Sequence, residues 1–154
     1  MRSYYYEVEV LECGEVDTLE SIVGVGFCSQ FFALDKMPGW PESYPSWGYH
    51  GDDGQKFKRE YEGQGHHYSE SYGKGDIIGA GVDFDKQELF FTKNGEHLVA
   101  FCKDNGDKDI RGKLFPIVGM CPKGVKVKAN FGTNLEEFPF KYGMVAERKD
   151  EEHQ

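Results

Sequence analysis

An Asn-Gly pair at positions 94 and 95 constrains the fold of this chain more than any other feature. It separates ELFFTK, residues 88–93, from a second extended stretch at residues 97–102. Both residues of the pair accept the positive φ values of a type I′ turn, which joins two antiparallel strands. The pair therefore predicts a β-hairpin and an antiparallel sheet.

Short strand-like segments recur along the rest of the chain. Residues 4–11 alternate: Tyr6, Val8 and Val10 share one face, and Tyr5, Glu7 and Glu9 lie on the other. This period of two predicts a strand with one solvent-exposed face. Further strands are predicted at residues 22–28, 47–50, 55–57, 77–84, 114–119 and 125–131. Eight or nine short strands without a substantial helix predict an all-β fold, an antiparallel β-sandwich.

Residues 37–54, MPGWPESYPSWGYHGDDG, predict a long structured loop that ends in a short strand. Three prolines and four glycines in this stretch exclude a continuous helix or a central strand. Its large aromatic residues must either anchor the loop to the domain or face a partner. We expect Trp47 and Tyr49 to pack into the sheet. Trp40 and Tyr44 are candidate partner contacts, although packing of Trp40 under the neighbouring prolines is an equally open alternative.

Length and charge limit the classes of partner. The 154 residues fit one domain, and a formal net charge of −9 disfavours general attraction to a phosphate backbone. A basic patch around Lys123, Lys126 and Lys128 is better explained as a solvated strand face. No apolar run approaches the length of a membrane span. We therefore expect neither a nucleic acid nor a membrane partner.

The cysteines carry no metal or redox motif, because none of them forms a CxxC pair. They are Cys13, Cys28, Cys102 and Cys121. Free and mostly buried thiols are expected, which suits an intracellular compartment, cytoplasmic or nuclear. One or two disulfides remain an alternative.

Other polar residues suggest catalysis or metal binding only weakly. Asp52 and Asp53 are better explained as turn caps than as calcium ligands. Solvated loop positions are expected for His50, His66 and His67. Paired carboxylates on one strand face, here Glu7 and Glu9, can serve as an acid and a base, but a solvated face is favoured for them. The sequence thus predicts no catalytic residue, no metal site and no cofactor.

A set of ordered landmarks identifies a family resemblance. They are YYYEVEV, VGVGF, PGW followed by YHGDDG, GKGDIIGAGVDF, ELFFTKNGE, LFPIVGM and VKANFG. In this order and spacing they resemble the SPRY domain, most closely the Ran-binding protein M type, over residues 4–132. We predict a SPRY domain at residues 1–146 and a charged, disordered tail at residues 147–154.

The resemblance implies a bent β-sandwich, a concanavalin-like jelly roll, that binds proteins and has no catalytic activity. Such domains capture a short peptide or a partner surface with loops at one end of the sandwich, which correspond here to residues 34–44 and 120–123. The predicted partner-binding residues are Leu34, Met37, Trp40, Tyr44, Met120, Pro122 and Lys123. We expect a monomeric domain within a larger ubiquitin-ligase or chromatin-associated assembly. The alternative is a carbohydrate-binding β-sandwich that uses the loop aromatics.

Two departures from the family pattern bear on the partner. SPRY domains usually have one or two strands before the position of Tyr4, so the binding surface is expected to be incomplete here or completed by other sequence. The VGVGF segment also lacks the arginine with which SPRY subunits of histone-methyltransferase complexes bind an acidic partner. An acidic partner of that class is therefore disfavoured.

Overall fold

A computed structural model describes residues 2–14, 22–102 and 106–143 of the chain. These residues form ten strands and one 3-10 turn, Arg59–Tyr61. The strands are β1 Ser3–Cys13, β2 Ile22–Ser29, β3 Ser46–His50, β4 Gln55–Lys58, β5 His66–His67, β6 Ile77–Asp83, β7 Glu88–Lys93, β8 Glu96–His97, β9 Leu114–Cys121 and β10 Val125–Asn130.

The strands form two five-stranded sheets. Sheet A has the order β10-β1-β6-β7-β8, and sheet B has the order β5-β4-β3-β2-β9. All strand pairs are antiparallel. The predicted antiparallel β-sandwich is therefore confirmed. The predicted boundary at residue 146 and the tail at residues 147–154 lie outside the described residues.

The core lies between the two sheets. β1 contributes Tyr6, Val8 and Val10 from sheet A, and β3 contributes Trp47 and Tyr49 from sheet B. All five are buried, as the alternation in the sequence predicts. Burial of each large apolar side chain contributes about 1.5–3 kcal/mol, so this layer is a main source of stability.

The Asn-Gly turn has the predicted backbone geometry, but its return strand is shorter than predicted. Asn94 and Gly95 have φ values of 52° and 86°. Beyond β8 the chain follows β7 irregularly: the N–H groups of Leu98 and Phe101 still donate to the carbonyl oxygens of Phe91 and Leu89, while side chains donate to other carbonyl groups of this stretch. The hydroxyl of Tyr68 donates to the carbonyl oxygen of Val99 at 2.6 Å, and the ammonium of Lys56 donates to that of Phe101.

The expectation of a solvent-exposed outer face on β1 is wrong at Tyr5, which is 7% exposed, and at Glu7. The Glu7 side chain is only 4% exposed, because residues 133–143 fold back across the outer face of sheet A. The backbone N–H groups of Lys141 and Tyr142 donate to its carboxylate at 2.8 and 3.1 Å. The ring of Phe140 lies edge-on to that of Tyr5, with centroids 4.9 Å apart. A segment more than a hundred residues away thus covers the charged face of the first strand.

All four cysteines are free thiols, of which Cys28 is buried and Cys121 is exposed. In the described part of the chain, no helix has the length and apolar character needed to cross a membrane.

Candidate functional site

The predicted binding loop lies flat against the outer face of sheet B because that face lacks side chains where the loop crosses it. A β-carbon on Gly48 would lie 2.4 Å from the carbonyl oxygen of Pro38. One on Gly119 would lie 2.7 Å from Cδ of Pro38, and one on Gly24 would lie 3.2 Å from it. These glycines come from β3, β9 and β2, which are neighbours in the sheet. We call Gly24, Gly48 and Gly119 the glycine floor.

Hydrogen bonds hold the loop on the glycine floor. The Nε2 atom of His50 lies 2.8 Å from the carbonyl oxygen of Pro38, and the N–H of Gly39 donates to Oγ of Ser46 at 2.7 Å. A carbonyl can only accept, so Nε2 carries the proton. The expectation that His50 is a solvated loop histidine is therefore wrong: it lies on β3 and is 2% exposed. Burial lowers the pKa of His50 below its ordinary value.

Met37 supports the loop and offers little surface to a partner. It is 6% exposed, and its sulfur occupies the space above Gly119, where a β-carbon would lie 2.4 Å away. The loop then turns tightly, since the N–H of Trp40 donates to the carbonyl oxygen of Met37 at 3.0 Å. This packing joins the loop to β9, the strand that also carries Met120.

The remaining predicted residues separate into two groups at opposite ends of sheet B. Ile22 at the start of β2 pairs with Cys121, and Ser29 at its end pairs with Leu114. At about 3.3 Å per residue, these two ends are roughly 23 Å apart. A partner segment must therefore extend over about seven residues to contact both ends.

Trp40, Met120, Pro122 and Lys123 belong to the Ile22 end. Trp40 borders a cavity together with Ile22, and Met120 precedes the residue that pairs with Ile22. Trp40 is 36% exposed and Met120 is 50% exposed. Lys123 is exposed, whereas Pro122 is partly buried. We call Trp40, Met120, Pro122 and Lys123 the tryptophan end.

Tyr44 belongs to the Ser29 end, together with Phe31, and Leu34 lies in the loop between Phe32 and Met37. The N–H of Ser29 donates to the carbonyl oxygen of Pro45 at 2.9 Å, which fixes both ends of the loop there. Leu34 is 91% exposed, and the rings of Phe31 and Tyr44 lie 5.6 Å apart. Phe31 was not predicted from the sequence. The sequence signal that could have indicated it is the adjacent pair Phe31-Phe32, of which only Phe32 is buried in the structure.

The acidic turn between β3 and β4 follows its sequence prediction. Oδ1 of Asp53 accepts the N–H of Gln55 at 2.9 Å, which is the predicted cap of the turn. In the described ranges, no group of three or more His, Cys, Asp and Glu side chains is arranged to hold a metal ion. The two lysines of β10 are exposed and lie opposite glutamates in register, Lys126 facing Glu12 and Lys128 facing Glu9. Their charge is thus offset within the sheet, as expected for a solvated face.

Comparison with known proteins defines the class of this domain. A family model described as SPRY domain matches residues 3–134. The chain therefore belongs to the SPRY family, whose domains are protein–protein interaction modules found in Ran-binding proteins. A crystal structure of a human SPRY domain superposes with a TM-score of 0.66 and 31% identity, covering 86% of this chain and 78% of that one. The SPRY domain of human HERC1, at a TM-score of 0.62 and 19% identity, shares the fold.

Among curated proteins, the relatives are Ran-binding proteins of the 9/10 and M types. The chain is 36% identical to a Ran-binding proteins 9/10 homolog of Drosophila melanogaster, covering 96% of this chain and 14% of that protein. It is 33% identical to a Ran-binding protein M homolog of Arabidopsis thaliana, covering 97% of this chain and 29% of that protein. The chain thus spans less than a third of the length of these relatives. The resemblance read from the sequence landmarks is confirmed.

Proposed function

We propose that this SPRY domain recruits a protein or a short peptide through the tryptophan end of sheet B. The observation that supports the proposal is the exposure of Trp40 and Met120 on segments that the glycine floor holds in place. Aromatic side chains contribute large contact areas at a low cost in rotamer entropy, and they are enriched among the residues that dominate binding energy. The domain acts without catalysis, as a module of a larger ubiquitin-ligase or chromatin-associated assembly within the cell.

The loop differs from an ordinary flexible loop in a way that favours binding. Its centre is fixed by the buried Met37, by the contact of Pro38 with the glycine floor and by the hydrogen bond from His50. A partner that contacts Trp40 therefore meets a surface that is already ordered. Preordering reduces the entropy lost on association, which is one of the main costs of binding.

Random-peptide display on the wild-type domain tests this proposal. Selected peptides are then measured by isothermal titration calorimetry against Trp40→Ala and against Leu34→Ala. We expect Trp40→Ala to weaken binding by about tenfold or more, as for a central contact residue. Leu34→Ala is the matched control, because it removes an exposed side chain of the same loop that does not line the cavity beside Trp40. Circular dichroism verifies that both variants are folded.

Three outcomes contradict the proposal in different ways. Equal binding by wild type and a folded Trp40→Ala variant shows that the tryptophan end is not the docking surface. A loss confined to Leu34→Ala assigns docking to the part of the loop that precedes Met37. Saturable binding to a defined sugar on a glycan array, with no peptide recovered, supports the carbohydrate-binding alternative instead.

A further inference from the structure

A cavity of about 340 Å³ lies beside the indole of Trp40. Its apolar wall comes from the binding loop and from β4, and its rim is the acidic turn between β3 and β4. Residues that line it are Trp40, Pro41, His50, Asp52, Asp53 and Phe57. The volume lies at the lower end of the range of about 300–1,000 Å³ that is usual for ligand pockets, so it has room for a single long side chain.

The charge of this cavity is negative. Asp52 and Asp53 are both exposed at its rim, and no lysine or arginine of the described chain lines it. Within the described residues, neither carboxylate forms an ion pair, although seven such pairs occur elsewhere. Burial, and then the charge of Asp53, raise the pKa of Asp52. The neighbouring carboxylates thus repel each other, and a cation between them would relieve that repulsion.

The wall of the cavity suits the apolar part of a long basic side chain. The ring of Trp40 is partly exposed, and the rings of His50 and Phe57, which also line the cavity, stack on each other with centroids 4.1 Å apart. Lysine and arginine bury their methylene stems against such surfaces while the charged head stays near water. A cation over an indole face also gains from the ring quadrupole, and tryptophan is the most favourable ring for this contact.

We propose that this cavity binds a lysine or arginine side chain of the protein partner, with its stem against Trp40 and its charged head at Asp52 and Asp53. The inference rests on the proposed function, because Trp40 belongs to the tryptophan end. It adds the chemistry of the partner: a segment with a basic residue at the position that meets this cavity. The formal net charge of −9 favours the approach of such a segment.

Nuclear magnetic resonance tests the inference with small probes and needs no knowledge of the partner. The ¹⁵N-labelled domain is titrated with capped Gly-Arg-Gly, Gly-Lys-Gly and Gly-citrulline-Gly peptides at millimolar concentration. Citrulline matches arginine in shape but is neutral. The signal is the indole N–H of Trp40. That of Trp47 is an internal reference, since it donates to Oδ2 of Asp107 at 2.8 Å in the core.

We expect the arginine and lysine probes to shift the Trp40 resonance saturably, with about tenfold higher affinity than the citrulline probe. The Trp47 resonance should not move. Asp52→Asn and Asp53→Asn should each weaken the response to the cationic probes. The second of these variants keeps a side-chain oxygen that can still accept the N–H of Gln55, so the turn retains its cap. Asp35→Asn is the matched control, because it removes an exposed charge near Leu34 at the other end of the loop.

Equal responses to arginine and citrulline overturn the inference, as does full retention of binding in both aspartate variants. A shift caused by calcium ions but not by the arginine or lysine probes assigns the carboxylates to a metal ion instead. These results are distinguishable from failure of the proposed function, which is judged by selected peptides and Trp40→Ala. If binding of those peptides depends on Trp40, but the peptides contain no basic residue and the probes give no shift, the proposed docking at the tryptophan end is retained. The binding of a lysine or arginine side chain in the cavity is then rejected.

Discussion

Replacement of Glu7 by glutamine should release the C-terminal segment from sheet A and destabilise the domain. The Glu7 carboxylate accepts the N–H groups of Lys141 and Tyr142, and the hydroxyl of Tyr5 donates to it at 2.7 Å. The Tyr5 hydroxyl has one proton and donates it to Glu7. The hydroxyl of Thr92, 2.7 Å away, must therefore donate to the oxygen of Tyr5. The buried charge thus fixes a short chain of hydrogen bonds across three strands and the covering segment.

The expected loss follows from these contacts. A hydrogen bond to a charged group contributes about 1.5–3 kcal/mol, and an unsatisfied buried donor costs about 1–3 kcal/mol. Glutamine keeps one carbonyl oxygen but turns its NH₂ group toward a backbone donor. We therefore expect a loss of about 3 kcal/mol in the free energy of unfolding, out of a total of about 5–15 kcal/mol. With a urea m-value of about 2 kcal/mol/M, the midpoint falls by about 1.5 M.

Urea denaturation followed by circular dichroism measures the midpoint, and hydrogen exchange measures protection of the Lys141 and Tyr142 amides. Glu9→Gln is the matched control, because Glu9 lies on the same face of β1 and loses the same charge. We expect that control to stay within about 0.5 kcal/mol of wild type. An unchanged midpoint together with unchanged protection in Glu7→Gln would refute the assignment of Glu7 as the anchor of the covering segment.

Three further predictions concern the binding loop and its surroundings. Gly48→Ala places a β-carbon 2.8 Å from Cβ of Pro38, so we expect a loss of about 1–3 kcal/mol in urea unfolding and weaker peptide binding. Burial lowers the pKa of His50, so just below the ordinary value of 6.5 the unfolded state binds more protons than the folded state. The free energy of unfolding should therefore fall as the pH drops through 6.5. His50→Gln should flatten this pH dependence of the urea midpoint. Cys121 is exposed beside Met120, whereas burial raises the pKa of the Cys28 thiol to about 11. Iodoacetamide should therefore modify Cys121 first, as mass spectrometry can show. The modification should weaken peptide binding, as measured by calorimetry.

Each of these has a matched control or a contrary result. Gly143→Ala should be neutral, because a β-carbon at that position would have no described atom within 4 Å. His66→Gln removes an exposed histidine and should leave the fall in stability below pH 6.5 intact. A Cys121→Ser domain that still loses peptide binding on iodoacetamide treatment would contradict the assignment of that effect to Cys121.

Local patterns predicted most of the strands because they are properties of neighbouring residues. Alternation in β1 placed Tyr6, Val8 and Val10 in the core, and the Asn-Gly pair placed the turn between β7 and β8. The same alternation failed for Glu7, since the covering residues follow it by more than 130 positions and no local signal links them. The irregular course after β8 also lacks a local signal, since the groups that donate to its carbonyls, Tyr68 and Lys56, come from other parts of the chain.

The path of the predicted binding loop over sheet B could not be predicted from the sequence. The family resemblance selected residues 34–44 and 120–123, and both are adjacent to β9 in the structure. The sequence could not show that Tyr44 and Trp40 lie at opposite ends of sheet B, because that depends on the path of the loop across three strands. Nor could it show that Met37 is buried, since the space it fills is created by a glycine more than eighty residues away.

The glycine floor has a consequence for how a partner's affinity can change. Residues 37–39 lose their conformational freedom when the domain folds. Little further ordering of the loop therefore occurs when a partner binds. Variation at the rim, at Trp40, Pro41 or the acidic turn, then alters contacts without altering the course of the backbone beneath. A domain built in this way can exchange one partner for another by substituting a few rim residues, and calorimetry of such variants should show changes in contact enthalpy with little change in ordering entropy.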